Sequence, residues 1–198
     1  MMNLNRTKII VGKKTLLTEL EPKFFKYVVK WRNDKELNKY INQPFVLTLE
    51  LERTWYEQKY LGDPTQMLYV MIDKSNERPF ATMGYTDYDE DKKICISARL
   101  LAGEREYQGS VHLIEGLFLF FDYVYNRLNV DTIYSHVVRE NLASLRLQKR
   151  FGLFENIGEP YFPEYLKASQ FPMVEIIGTR ETFEKSRSKF EKFFNEVL

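Results

Sequence analysis

Sulfur and imidazole are scarce in this 198-residue chain, which has one cysteine, Cys95, and two histidines, His112 and His136. No internal disulfide can form, and no cysteine- or histidine-rich metal cluster is available, so no metal site is expected. An excess of one charge is also lacking. Lys plus Arg number 29 against 28 Asp plus Glu, a net charge of +1. That balance argues against a broad polyanion-binding surface, and nucleic acid is not an expected partner. No apolar run approaches the about 18 residues of a membrane span. The nearest, LIEGLFLFFDYVYNRL, is marked as a helix in water by Glu115, Asp122, Asn126 and Arg127. The opening MMNLNRTKII is poor in apolar residues, so no secretory leader and no membrane association are expected, and the cytoplasm is the default setting. The glycine-rich fingerprints of dinucleotide-binding and P-loop folds are missing.

What is present is apolar and aromatic. Residues of the apolar class make up 44% of the chain, with fifteen Phe and thirteen Tyr. This is enough for a large core, an aromatic cleft or a subunit interface. The length suits one domain over 1–198. Residues 8–20 read as two strand pieces around Gly12-Lys13-Lys14. In 22–32, Phe24/Val28 and Phe25/Val29 have helical spacing. Thr48 is a good N-cap for LELERTWYEQKYL, with Glu50 and Glu52 in the first turn where the helix dipole favours anions. Gly62-Asp63-Pro64 ends that helix. Strands follow at 67–73, 80–88 and 93–101. From about Ser110, Ile114, Leu117, Phe118, Phe121, Val124, Tyr125 and Leu128 form the clearest amphipathic helix. Residues 132–138 read as a strand. Asn141 caps a short helix, and Gly152 stands at its left-handed exit. Residues 161–166 and 172–178 read as a closing strand pair. The tail is a helix with Phe183, Phe190, Phe194 and Val197 on one face. The order predicts a mixed α/β sheet rather than a doubly wound fold.

This order, together with KWRND (30–34), TLELERTWYEQ (48–58), EYQG (106–109) and NLASLRLQKRFGLF (141–154), resembles the GCN5-related N-acetyltransferases (GNAT). Within them it is similar to the branch of ribosomal-protein alanine and spermidine acetyltransferases. The resemblance spans roughly residues 10–180. It implies a mostly antiparallel sheet splayed at its centre and flanked by helices, to which this chain adds a C-terminal helix over 181–198. It also implies acetyl-CoA as co-substrate, with the pantetheine arm between two parting strands and the pyrophosphate on amides opening the long helix. The amine acceptor then enters over the first two helices.

By that resemblance Leu100, Leu101, Gln108, Gly109, Ser110, Val111, His112, Leu113, Asn141 and Ser144 are expected to hold the cofactor. Gln108 matches the family's helix-start pattern, but Val111 and Leu113 replace its two small residues and narrow the approach to the amides. Three readings stay open: coenzyme A with shifted phosphates and help from His112, a different acyl carrier, or loss of acyl transfer. The family's strand carboxylate is missing from ICISARLL, and Gln148 stands where many relatives carry an acidic tyrosine. His136 and Glu175 are the candidate bases. Trp31, Arg32, Tyr85, Tyr161 and Tyr165 are candidates for the acceptor pocket, and Cys95 reads as a small buried hydrophobe. The implied activity is transfer of acetyl to a primary amine of a small molecule, an amino sugar being preferred over a polyamine, or of a protein N-terminus. A non-catalytic binding domain is the alternative. The Phe-rich tail is expected to pack on the body or on a second copy, with a homodimer favoured.

Overall fold

The structure is a computed structural model and describes residues 8–41, 43, 45–155, 160–161 and 171–197. Eight strands form one sheet in the order β1-β2-β3-β4-β5-β6-β8-β7. β1 (Ile9–Val11), β2 (Thr15–Glu19), β3 (Met67–Asp73), β4 (Arg78–Asp89) and β5 (Ile94–Ala102) run antiparallel to one another in turn. β6 (Thr132–Val138) joins β5 in parallel, and β8 (Met173–Thr179) and β7 (Leu153–Glu155) complete the edge.

β3 shows how the sheet holds two layers of helices. All seven of its residues are buried. The side-chain period of two sends Met67, Tyr69 and Met71 into one core and Leu68, Val70 and Ile72 into another. The first core is shared with α3 (Val111–Asn126) and α5 (Arg180–Val197), and the second with α1 (Phe25–Asn33). α2 (Leu49–Trp55) lies beside α1 and passes into a single π-helical turn, Tyr56–Tyr60, closed by Leu61 N–H on Tyr56 C=O at 3.0 Å. The wider turn stacks Tyr56 on Tyr60 and carries Trp55 toward β5.

The caps behave as their chemistry dictates. Thr48 Oγ1 accepts from Leu51 N–H, Ser110 Oγ from Leu113 N–H, and Asn141 Oδ1 from Ser144 N–H. After α4 (Leu142–Arg150), Gly152 sits at φ +84°, and an added Cβ would meet the Thr182 backbone at 2.6 Å. Glycine is required there on both counts.

Several expectations need correction. β7 is a strand that the periodicity did not announce, because three residues are too few to show alternation. Of the strand expected at 161–166, Tyr161 makes an isolated bridge to Met173, and the rest lies outside the described residues. The phenylalanine face of α5 packs on its own chain: Phe190 stacks on Phe151 at 4.4 Å, and Phe183 on Tyr125 at 5.1 Å. That face is therefore absorbed by the core, which is the first of the two placements expected for it. Val197, expected on it, is 48% exposed.

Candidate active site

The sheet parts where the resemblance implied. β5 and β6 pair only at Ile94–Thr132, Cys95–Ile133 and Ile96–Tyr134. Beyond that point β6 stays registered with β8 as far as Val138–Met173, while β5 follows β4. A bulge drives the separation. Two β5 residues, Arg99 and Leu100, lie opposite the single Met83 of β4, and Arg99 takes φ +62°. An extra residue bends its strand and leaves pairing groups free. Thr82 Oγ1 donates to Arg99 C=O at 2.8 Å and fixes the bend, and Ser135 Oγ donates to Ser97 C=O at 3.1 Å at the hinge of the fork.

A cavity of about 420 Å³ runs through this fork. On one side it is walled by Leu100, Leu101, Val137, Val138, Asn141 and Ser144, and on the other by Arg32, Tyr40, Glu52 and Trp55. Asn141 therefore caps α4 and faces the cavity at once. Three buried polar atoms on its wall have no partner within the chain among the described residues: Ser97 Oγ, Arg99 Nη1 and Gln148 Oε1. Buried polar atoms are nearly always satisfied, so these three are points where a water or a ligand in the cavity can bond.

At the α3 start the two bulky residues differ in where their side chains lie. Leu113 is 3% exposed and points into the core, away from the loop. Ser110 Oγ takes the Leu113 amide, and Ser110 C=O takes that of Ile114. The N–H groups of Val111 and His112, at the positive end of the helix dipole, have no acceptor among the described residues. Val111 is half-buried and Gly109 is exposed, with open space where its side chain would be. Gln108 is exposed, and its Nε2 donates back to Ala102 C=O at 3.3 Å. The His112 ring turns inward instead. Its Nε2 lies 3.6 Å from Asp73 Oδ2, and the ring packs edge-on against Tyr107. Asp73 is buried, which raises its carboxyl pKa, but bonds from Tyr107 and Ser75 outweigh burial and hold it below the usual carboxylate range. The ring thus has a place in this cluster, beside the helix start where help to a phosphate was expected of it.

Two further carboxylates fix the same region. Glu104, buried before α3, accepts from Lys30 Nζ and Trp31 Nε1 at 2.8 Å each and also pairs with Arg78. Burial raises its pKa, and these partners more than reverse that, leaving it depressed. Glu115, inside α3, accepts three backbone N–H groups from the β1–β2 hairpin: Lys13 at 2.6 Å, Lys14 at 2.9 Å and Thr15 at 2.7 Å.

Of the acceptor candidates, Arg32 lines the cavity. Trp31 does not: it is 1% exposed and packed on Gly103, where an added Cβ would lie 2.0 Å from its ring. Tyr85 is wholly buried in the core, away from the cavity wall. Tyr165 lies outside the described residues. The Tyr161 hydroxyl shares a hydrogen bond with Nδ1 of His136, and His136 lines the cavity. Glu175 faces His136 across the β6–β8 pair. Cys95 is 1% exposed and burial pushes its thiol up to about 12, so it is no nucleophile.

Glu52 is a site residue that the sequence reading passed over. Assigned only to the helix dipole, it is 2% exposed and lines the cavity between Arg32 and Arg99. Burial raises its pKa, with both arginines opposing, and burial lowers those of Arg32 and Arg99. Three polar residues on one apolar-faced wall were the available signal, but they lie on elements far apart in sequence.

The acetyltransferase (GNAT) domain model matches residues 15–153, more than half of the chain. The chain belongs to the GNAT acetyltransferase family. GNAT acetyltransferases draw their acetyl group from acetyl-CoA. No curated protein sequence matches the chain. Among solved structures it is similar to a spermidine N-acetyltransferase from Vibrio cholerae in complex with CoA and spermine. That match has 16% identity and a TM-score of 0.74, and covers 87% of this chain and 99% of that one. A GCN5-related N-acetyltransferase from Brucella melitensis matches with 14% identity and a TM-score of 0.79, over 94% of this GNAT chain and 85% of the other. A nucleotide-linked sugar GNAT matches with 14% identity and a TM-score of 0.70, over 93% and 97%. At these identities the likeness establishes the fold alone.

Proposed function

We propose that this GNAT domain is an acetyl-CoA-dependent N-acetyltransferase acting on a primary amine of a small molecule, an amino sugar among the candidates, or of a protein N-terminus. The observation that carries the proposal is the fork between β5 and β6 with the cavity running through it. The unpaired backbone of the parted strands suits the amide-rich pantetheine arm. The free amides of Val111 and His112 suit the diphosphate. Asn141 and Ser144 lie where the arm would pass, and the amine enters over α1 and α2.

Most of the rate then comes from holding amine and thioester together. The amine lone pair attacks the thioester carbonyl carbon, and Ser97 Oγ–H is a donor available to the oxygen that gains charge. With Nδ1–H of His136 donating to the Tyr161 oxygen, Nε2 presents its lone pair and takes the amine proton. Glu175, opposite on β8, favours the resulting imidazolium. Collapse breaks the C–S bond and releases the coenzyme A thiolate, which is protonated as it leaves.

The test is release of free thiol from acetyl-CoA across a panel of amines. His136→Gln is expected to lower kcat about 10²-fold or more, with acetyl-CoA stabilising the variant as it does the native chain. Binding of acetyl-CoA without thiol release from any amine would favour the binding-domain reading instead.

A further inference from the structure

The acceptor end of the cavity carries an unusual charge set. Arg32, Arg99 and Glu52 all line it, leaving one positive charge in excess. No ion pair closer than 4.0 Å joins them among the described residues. Arg99 is partly engaged: its Nη2 donates to Gln66 Oε1 at 2.6 Å, and its guanidinium lies over the Trp55 ring at 4.9 Å. Its Nη1 is buried and unbonded. The guanidinium of Arg32 makes no hydrogen bond or ion pair among the described residues, although the residue is half-buried. Arginine stays charged at any ordinary pH and presents its donors as a planar fork. Two such forks, partly desolvated and short of acceptors, are costly unless an anion completes them.

We infer that the acceptor carries an anionic group, a carboxylate or a phosphate, beside its amine, and that Arg32 and Arg99 hold that group while Glu52 limits the pocket to one such charge. This rests on the acetyltransferase reading above and narrows its substrate class. It also excludes polyamines, whose spaced ammonium groups would meet like charges here. The bulge is then more than a device for opening the sheet. By placing Arg99 at φ +62° it turns a β5 side chain into the acceptor pocket over Trp55, a ring supplied by the helical turn that leads into the π-helix.

The test uses the full chain with acetyl-CoA and matched acceptor pairs. One arm compares glucosamine 6-phosphate with glucosamine, another β-alanine with its amide, and spermidine serves as the cationic control. In at least one arm the anionic member is expected to exceed its neutral partner in kcat/KM by about 10-fold or more, as one charge-assisted bidentate contact warrants. The arm that responds identifies phosphate or carboxylate. Arg32→Gln is expected to erase that preference by lowering kcat/KM for the anionic acceptor more than for its neutral partner, with a cooperative melting transition retained, since its guanidinium makes no hydrogen bond or ion pair among the described residues. Arg99→Lys, which keeps the charge but loses the fork, should weaken the preference in part. Thermal stabilisation by each acceptor alone is measured in parallel. If the anionic members stabilise the native chain but not Arg32→Gln, while no acetyl-CoA effect is seen, the anion site stands and the acetyltransferase reading falls. If acetyl-CoA binds and neutral amines or spermidine match the anionic ones in both readouts, the inference is overturned. It is overturned equally if no anion binds at all.

Discussion

The carboxylates around the start of α3 are saturated with partners, whereas the charges inside the cavity are not. Glu104 has three donors and Glu115 has three backbone amides, and Asp73 is bonded by Tyr107 and Ser75. The pKa shifts follow. Partners hold Glu104 and Asp73 below the carboxylate range, while burial drives Glu52 above it. The first set frames the loop proposed to present free amides to a diphosphate, and the second faces the part of the cavity proposed for the acceptor. Burial alone does not separate structural charges from ligand-binding ones. How completely each charge is paired does.

Substitutions can break this comparison, and the largest effect is expected at Glu115. Glu115→Ala leaves the hairpin amides of Lys13, Lys14 and Thr15 without an acceptor in a packed region. It should cost about 2–4 kcal/mol, read as a lower melting midpoint by circular dichroism. Glu104→Gln comes next, at about 1–3 kcal/mol, because Trp31 Nε1 stays buried with a weaker acceptor. Its signature is in pH. A depressed folded pKa contributes stability that is present above the unfolded value, 4.5 for this carboxyl, and lost as pH falls through the folded one. The native chain should therefore lose more stability than Glu104→Gln between pH 7 and the acid limb. An equal loss would remove Glu104 from the account. The smallest effect is expected at Arg32. Its replacement by Gln should change stability by less than about 1 kcal/mol, since no acceptor among the described residues is bonded to its guanidinium and only the longer-range opposition to Glu52 is lost. A loss comparable to that of Glu104→Gln would erase the distinction between the two sets.

Much of the fold was legible because its signals are local. The alternation over 67–73, the stripe of α3, the caps at Thr48, Ser110 and Asn141 and the exit at Gly152 depend on residues within a turn or two of each other. The fork was not legible from periodicity. It depends on a bulge at Arg99, whose residue type gives no warning of positive φ, and it was reached only through the family resemblance. The site was half legible. Arg32, His136, Asn141 and Ser144 reach the cavity wall, but Trp31 and Tyr85 do not. An aromatic beside charged residues looks the same in sequence whether it faces a ligand or, as Trp31 does, carries a buried indole N–H to a glutamate. Leu113 misled for a related reason. A large residue at a helix start suggests a blocked cradle, yet its side chain leaves on the core side of the helix.

The proposed acetyl-CoA site requires the Val111 and His112 amides to be open to a diphosphate beside the parted strands. The decisive measurement is the melting temperature of the full chain as acetyl-CoA is raised into the millimolar range. A ligand that binds only the folded state must raise it progressively. That rise is expected, and Val111→Trp, which covers the amides, is expected to abolish it while leaving the unliganded midpoint close to that of the native chain. A midpoint that does not move with acetyl-CoA, in a chain that melts cooperatively, would contradict the proposed site.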